Sequence, residues 1–357
     1  MLHYTHERNY ACRLTEFTYR GLRAVTLENE LLRVTILADK GSDIYEFLFK
    51  PLDVDFMFRT PWGVRNPATF VPTSATPVSA FLDFYEGGWQ DCLPTGGNPG
   101  EYQGFPFGAH GETPTIPWQY AIVEDTPERV ALRLWVRTYR TPFLVEKEVA
   151  LERGKATLSI HERITNEGRA PMHLMWGQHP ALGAPFVDGS CVIDLPGAQV
   201  HCTGLSANTR FVEGVHTWPI VPGKDGRAID LRRVATAEAD TADTIFLSAL
   251  PEGWYAVTNT ERRVGFGMAW PIKVFPALWF WQVYGGAYFA PWYGRTYNIA
   301  LEPFSTVQTT LAEAIADGSA HHLEPGASID ARFVAVAYAG MEGVERITPD
   351  GQVTPRS

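Results

Sequence analysis

Between Val130 and Thr165 apolar side chains recur at every second position, a period that paired β-strands satisfy and a helix does not. Val130, Leu132, Leu134 and Val136 fall on one side of the chain, with Arg133, Trp135 and Arg137 on the other. Phe143, Val145, Val149 and Leu151 form the apolar side of the next strand, interrupted by Lys147, and Arg153-Gly154-Lys155 turns the chain into a third strand over 156–165. One polar and one apolar face per strand is the pattern of antiparallel sheets stacked over a core. The same period recurs over 31–37 and 43–49, joined by a polar turn in which Gly41 can supply a positive φ, and over the short segments 191–195, 244–249, 254–259, 264–270 and 328–338. Only 309–316, alanine-rich and closed by Gly318, reads as a helix. The expected fold is all-β: a large antiparallel β-sandwich with one short helix, formed by residues 1–357 as a single domain with a frayed tail after about residue 345.

Two regions break the period. Residues 70–108 gather glycine and proline around Glu86-Gly87-Gly88-Trp89-Gln90-Asp91-Cys92, and so long an irregular stretch in a compact chain reads as the wall of a cleft. Residues 203–240 read as loops with polar turns. A fourth strand, from Ala170 towards Gly177, is expected to deliver His179 to a loop bounded by glycine and proline, Trp176-Gly177-Gln178-His179-Pro180-Ala181-Leu182-Gly183.

Charge and cysteine content narrow the function. With 30 Lys and Arg against 40 Asp and Glu the formal net charge is -10, a field that opposes nucleic acid and anionic membrane as partners and suits a neutral small molecule. The four cysteines show no zinc-site spacing and read as buried thiols in a reducing cytoplasm. The first residues lack a signal-peptide core and no apolar run is long enough to span a bilayer, so a cytoplasmic location is expected.

Four constellations carry chemistry. His179 sits in the segment just described. His110 and Glu112 are separated by one glycine, which in an extended chain puts both side chains on one side. Glu302 interrupts the apolar run Ile299-Ala300-Leu301-Glu302-Pro303-Phe304, where a carboxylate is exposed at the strand end, paired, or held by desolvation at the raised pKa that a general base near neutrality requires. The aromatic run from Ala277 to Gly286, continuing to Tyr288, Trp292, Tyr293 and Arg295, includes Gln282 and can line a cleft with half of its rings. There is no GxGxxG after a strand, Walker A, GxSxG or HExxH motif. His110, Glu112 and His179 together would also make an open metal site of two imidazoles and a carboxylate, the basis of an alternative reading as a metal-assisted sugar isomerase or epimerase. A second alternative is a non-catalytic carbohydrate-binding protein.

In order, Asp39-Lys40-Gly41-Ser42-Asp43, the segment around Trp89, His110-Gly111 with Trp118 after it, Gly177-Gln178-His179-Pro180, Leu301-Glu302-Pro303 and Leu323-Glu324-Pro325-Gly326 resemble the galactose mutarotase (aldose 1-epimerase) superfamily from about Leu31 to Tyr338. The resemblance implies a twisted antiparallel sandwich whose concave face holds a sugar, with no cofactor and no metal. It also implies an isomerase in which His179 acts as general acid, Glu302 as general base, and His110 binds the sugar. Glu112, Trp89, Gln178, Gln282 and Trp292 are further candidate sugar contacts. Sugar-phosphate epimerases of this superfamily carry an arginine soon after the histidine-glycine pair. Here Glu112-Thr113-Pro114 follows, which disfavours a phosphosugar.

Overall fold

A computed structural model describes residues 8–69, 76 and 78–356. Two antiparallel sheets face each other. In the first, the order is Arg13–Tyr19, Leu22–Glu28, Leu32–Leu37, Asp43–Phe49, Trp89–Cys92, Gly177–Gly183, Tyr297–Phe304, Ala277–Tyr284, Thr241–Ser248 and Gln199–Cys202, followed by the short Gly214–Thr217, Ile220–Pro222 and Ala228–Asp230. In the second it is Cys191–Asp194, Trp254–Asn259, Val264–Ala269, Ser328–Ala339, Thr157–Asn166, Phe143–Glu152, Arg129–Arg137 and Gln119–Asp125. The all-β sandwich is therefore as the alternation predicts. Its core lies between the sheets, where Trp89, Trp118, Trp176, Phe47, Phe56, Phe186 and Phe266 pack, with Phe56 edge-on to Phe186 at 4.6 Å.

The predicted helix is Leu311–Ala316, started by a capping box in which the Thr310 side chain and Glu313 satisfy each other's main-chain donors. A single helical turn at Ser79–Leu82 is added within the irregular stretch, of which residues 70–75 and 77 lie outside the described residues. Among the described residues no helix is long and apolar enough to cross a membrane, and all four cysteines are free and buried.

Three expectations are corrected. The chain after residue 345 is not frayed: Val344–Ile347 and Val353–Pro355 pair as a hairpin, with Val344 and Ile347 buried against Trp254 and Tyr338. The Val344 N–H donates to Asp194 at 2.8 Å and Arg356 ion-pairs with the same carboxylate. Residues 203–240 contain three short strands that prolong the first sheet, too brief and too polar to show a period. Most important, 177–183 is not a loop but a fully buried central strand. Its prolines and glycines suggest a turn, yet a strand lying between two others can hold Pro180 where no ladder hydrogen bond is made to the neighbour.

Lys147, the polar interruption in an apolar strand, proves to be part of a buried network between the sheets. Its ammonium lies 2.5 Å from Asp91, and Gln178 donates to Asp91 at 2.8 Å and to Glu162 at 3.0 Å. Trp89 donates its indole N–H to Gln178 at 2.7 Å. Burial, with the Asp91 carboxylate beside it, raises the Glu162 pKa well above the ordinary range.

Candidate functional site

Register places the site. Gly177 pairs with Phe304 and Ala181 with Ala300, so His179 lies opposite Glu302. Between those two pairs the ladder is open, and Pro180 and Pro303, which have no N–H to give, sit in the opening. On the other side His179 pairs with Gln90, and beyond Glu302 come Trp279 and then Phe246. Residues directly opposite in an antiparallel sheet share a face, so Gln90, His179, Glu302, Trp279 and Phe246 form one row. The next row, Ala181, Ala300, Trp281 and Thr244, puts two methyl groups beside the acid and the imidazole, and the space they leave becomes the cleft. Gly177 closes the row's other side: a Cβ there would stand 2.3 Å from the Phe304 ring. Gly177→Ala is therefore expected to displace Phe304 and its stacking partner Trp279, lowering thermal stability in a melting experiment.

The cleft has a volume of about 530 Å³, within the range of small-molecule sites, roughly 300–1,000 Å³. His110, His179 and Glu302 lie in it among Phe81, Tyr85, Trp279, Trp281 and Trp292. No lysine or arginine is among its described lining residues. The His179 Nε2 is 3.5 Å from the Glu302 Oε1, and both side chains are almost wholly buried. Burial pushes the Glu302 carboxyl well above the usual carboxylate range. It lowers His179 to about 4, a shift its own main-chain carbonyl partly offsets. His110 is held well below the ordinary imidazole value by burial and by the neighbouring His179, and burial raises the Tyr85 phenol. Burial thus disfavours charge on all four of these groups. Tyr85 Oη, His179 Nδ1 and Glu302 Oε2 are buried without a hydrogen-bond partner, and pairing each is worth about 1–3 kcal/mol.

His110 comes from the irregular stretch and adopts φ 60°, followed by Gly111 at φ 80°, where a Cβ would strike the Leu93 carbonyl at 2.1 Å. Its ring stands edge-on to His179 at 4.9 Å, 4.4 Å from Phe81, with Nδ1 3.3 Å from the buried Cys92 thiol.

Of the expected site residues, His179, Glu302, His110 and Trp292 converge on the cleft. Four others do not. Because the chain turns at His110-Gly111, Glu112 points away: its carboxylate accepts from the Tyr139 and Arg140 N–H groups, both at 2.7 Å, and from the Thr141 hydroxyl at 2.9 Å, fastening the 138–141 turn. The three-ligand set His110, Glu112 and His179 is therefore not assembled. Gln178 and Trp89 are strand neighbours of His179 and Gln90 and so face the opposite side, into the inter-sheet network. Gln282, adjacent to Trp281, likewise faces away and accepts from Arg210 at 2.8 Å. Sequence reasoning missed Tyr85 and Phe81, and placed Trp279 and Trp281 only in an aromatic run of which half could line a cleft. For the two tryptophans the signal was present, since positions 279 and 281 share a face with Glu302's row.

Structural comparison finds the same fold in several solved proteins. One is a Klebsiella pneumoniae protein given the provisional name aldose 1-epimerase (14% identity, TM-score 0.71, covering 92% of this chain and 87% of that one). Others are a galactose mutarotase-like protein from Clostridium acetobutylicum (12%, 0.61, 92% and 99%) and a galactose mutarotase related enzyme from Lactobacillus acidophilus (15%, 0.56, 91% and 98%). No functionally curated protein matches the sequence. The family model described as Domain of unknown function (DUF4432) matches residues 19–335. With that match across most of its length, the chain belongs to the DUF4432 family, and its sandwich has the same fold as those mutarotase-like proteins.

Proposed function

We propose that this protein is an aldose 1-epimerase-like isomerase that interconverts the anomers of a neutral, non-phosphorylated sugar. The observation that carries the reading is the buried His179–Glu302 pair, 3.5 Å apart on the floor of an aromatic cleft. Anomerisation removes the proton from the C1 hydroxyl, protonates the ring oxygen so that the C1–O5 bond breaks, and reverses both transfers after the aldehyde has rotated. The two oxygens are bonded to one carbon, so acid and base must be neighbours, as His179 and Glu302 are. Burial disfavours charge on both, and at rest the single mobile proton belongs to Glu302. Its transfer to His179 Nε2 leaves a carboxylate to act as base and an imidazolium to act as acid. The flat rings of Trp279, Trp281 and Trp292 offer apolar surface to the C–H faces of a sugar. The names of the structural neighbours agree with this chemistry.

The absence of cationic side chains from the described lining supports a neutral substrate. Polarimetry of freshly dissolved single anomers tests this: accelerated mutarotation is expected for one or more neutral aldoses and not for their 6-phosphates. Acceleration confined to phosphorylated sugars would overturn the assignment.

The pH profile follows from the pair. Activity needs one proton shared between two groups, so it falls when His179 gains a second proton, and His179 does so only near pH 4. The acid limb of kcat/KM is expected near pH 4, not near the ordinary histidine value of about 6.5. The alkaline limb lies where Glu302 finally ionises, well above the usual carboxylate range.

A further inference from the structure

Gln90 stands beside His179 in the row that faces the cleft and is fully buried. Its carboxamide is fixed in one sense: Nε2 donates to the Gly87 carbonyl at 2.6 Å and to Asp43 Oδ2 at 3.1 Å. Asp43 is itself held by an ion pair with the buried Lys40, which also reaches Glu86 at 2.7 Å. Flipping the amide would set an oxygen against two acceptors. Oε1 is therefore the free end, and it is buried with no hydrogen-bond partner. On the adjacent strand, His179 Nδ1 is also buried and unpartnered, while Nε2 faces Glu302. The other groups around the imidazole are the His110 and Tyr85 rings, edge-on at 4.9 and 5.6 Å, with Trp281 at 5.7 Å and Phe81 at 6.3 Å. None of these rings bonds Nδ1, and the His179 main-chain carbonyl, which also lies beside the imidazole, leaves it without a well-formed hydrogen bond.

We propose that Gln90 is a positioning residue for His179: its Oε1 receives the Nδ1–H through one buried water, and so fixes the imidazole tautomer whose Nε2 lone pair faces Glu302. The inference rests on the acid/base reading above. In this tautomer Nε2 can take the Glu302 proton, giving carboxylate and imidazolium with both ring nitrogens protonated. In the other tautomer Nε2 already carries hydrogen, and the transfer has no acceptor. The chain Lys40, Asp43, Gln90 then acts on the reaction only through His179, as an orienting third group acts on a catalytic base.

The test is a two-bond ¹H–¹⁵N correlation spectrum of the full chain labelled with ¹⁵N-histidine, with the His179 signals identified by their loss in His179→Gln. Wild-type His179 is expected in the Nδ1–H form at pH 7, and Gln90→Met, of similar volume, is expected to shift it largely to Nε2–H. In the same variant kcat should fall roughly ten- to hundredfold, less than removal of an acid/base group itself, with KM little changed. An Nε2–H tautomer in the wild type, or an unaltered Nδ1–H signal in Gln90→Met, overturns the proposal; should that variant fail to fold, the wild-type tautomer alone decides. If the tautomer switches but the wild type exchanges no anomers, the positioning role stands and the acid/base reading falls.

Discussion

Glu302→Gln is expected to lose about 10²–10⁴-fold in turnover, the usual contribution of a positioned acid or base, while melting at a higher temperature than the wild type at neutral pH. The loss follows from the proton count: a carboxamide of the same shape can neither give the proton to His179 nor take one from the C1 hydroxyl. The gain follows from linkage. Burial raises the Glu302 pKa in the folded protein, whereas in the unfolded chain it ionises in the ordinary range, so the unfolded state sheds its proton first as pH rises. From the ordinary carboxylate range up to the raised folded value, this group therefore destabilises the fold progressively. Glutamine cannot ionise and removes that penalty. The melting-temperature advantage of Glu302→Gln should accordingly be absent near pH 4 and grow towards pH 7 and beyond. A variant that retains full activity, or one that is less stable at pH 8 than at pH 4 relative to wild type, contradicts this account of the site. The combination is the usual trade of stability for activity in a buried functional group.

Lys147→Met is the second large effect, and it falls on stability. The lysine arises from the second sheet and meets Asp91 of the first, 2.5 Å away, with both side chains buried. Removing the cation leaves a buried carboxylate with Gln178 as its remaining close donor at 2.8 Å, and breaking such a pair typically costs about 3–5 kcal/mol. Denaturant unfolding should show the loss as a lowered midpoint with little change in slope. Replacing Asp91 by asparagine in the same chain should recover part of it, because no unpaired charge then remains. A single-variant loss below about 1 kcal/mol would mean that the network is not the ionic anchor described.

Much of the architecture was legible because alternation survives wherever one strand face is buried and the other is wet. Val130 to Val136 and Phe143 to Leu151 are of this kind. The central strand was not legible for the opposite reason. All seven residues of Gly177–Gly183 are buried, so they show no alternation, and their glycine and proline content imitates a turn. That one misreading propagated. In a loop Gln178 and His179 can point the same way, but in a strand they cannot, and Gln178 and Trp89 accordingly belong to the inter-sheet network. His179 and Glu302 were identifiable as polar groups in apolar surroundings, but their distance depends on a register that only the folded sheet sets. Tyr85 and Phe81 come from the irregular stretch, where no period says which way a side chain faces.

The central claim is that the His179–Glu302 pair exchanges a sugar's anomers, and it is tested most directly by NMR exchange spectroscopy on neutral aldoses at anomeric equilibrium, with wild-type protein and Glu302→Gln compared at equal concentration. Exchange cross-peaks between the α and β C1 protons are expected with the wild type, and only the uncatalysed rate with the variant. Equal exchange rates with the two proteins, or saturable sugar binding with no acceleration by the wild type, would contradict it.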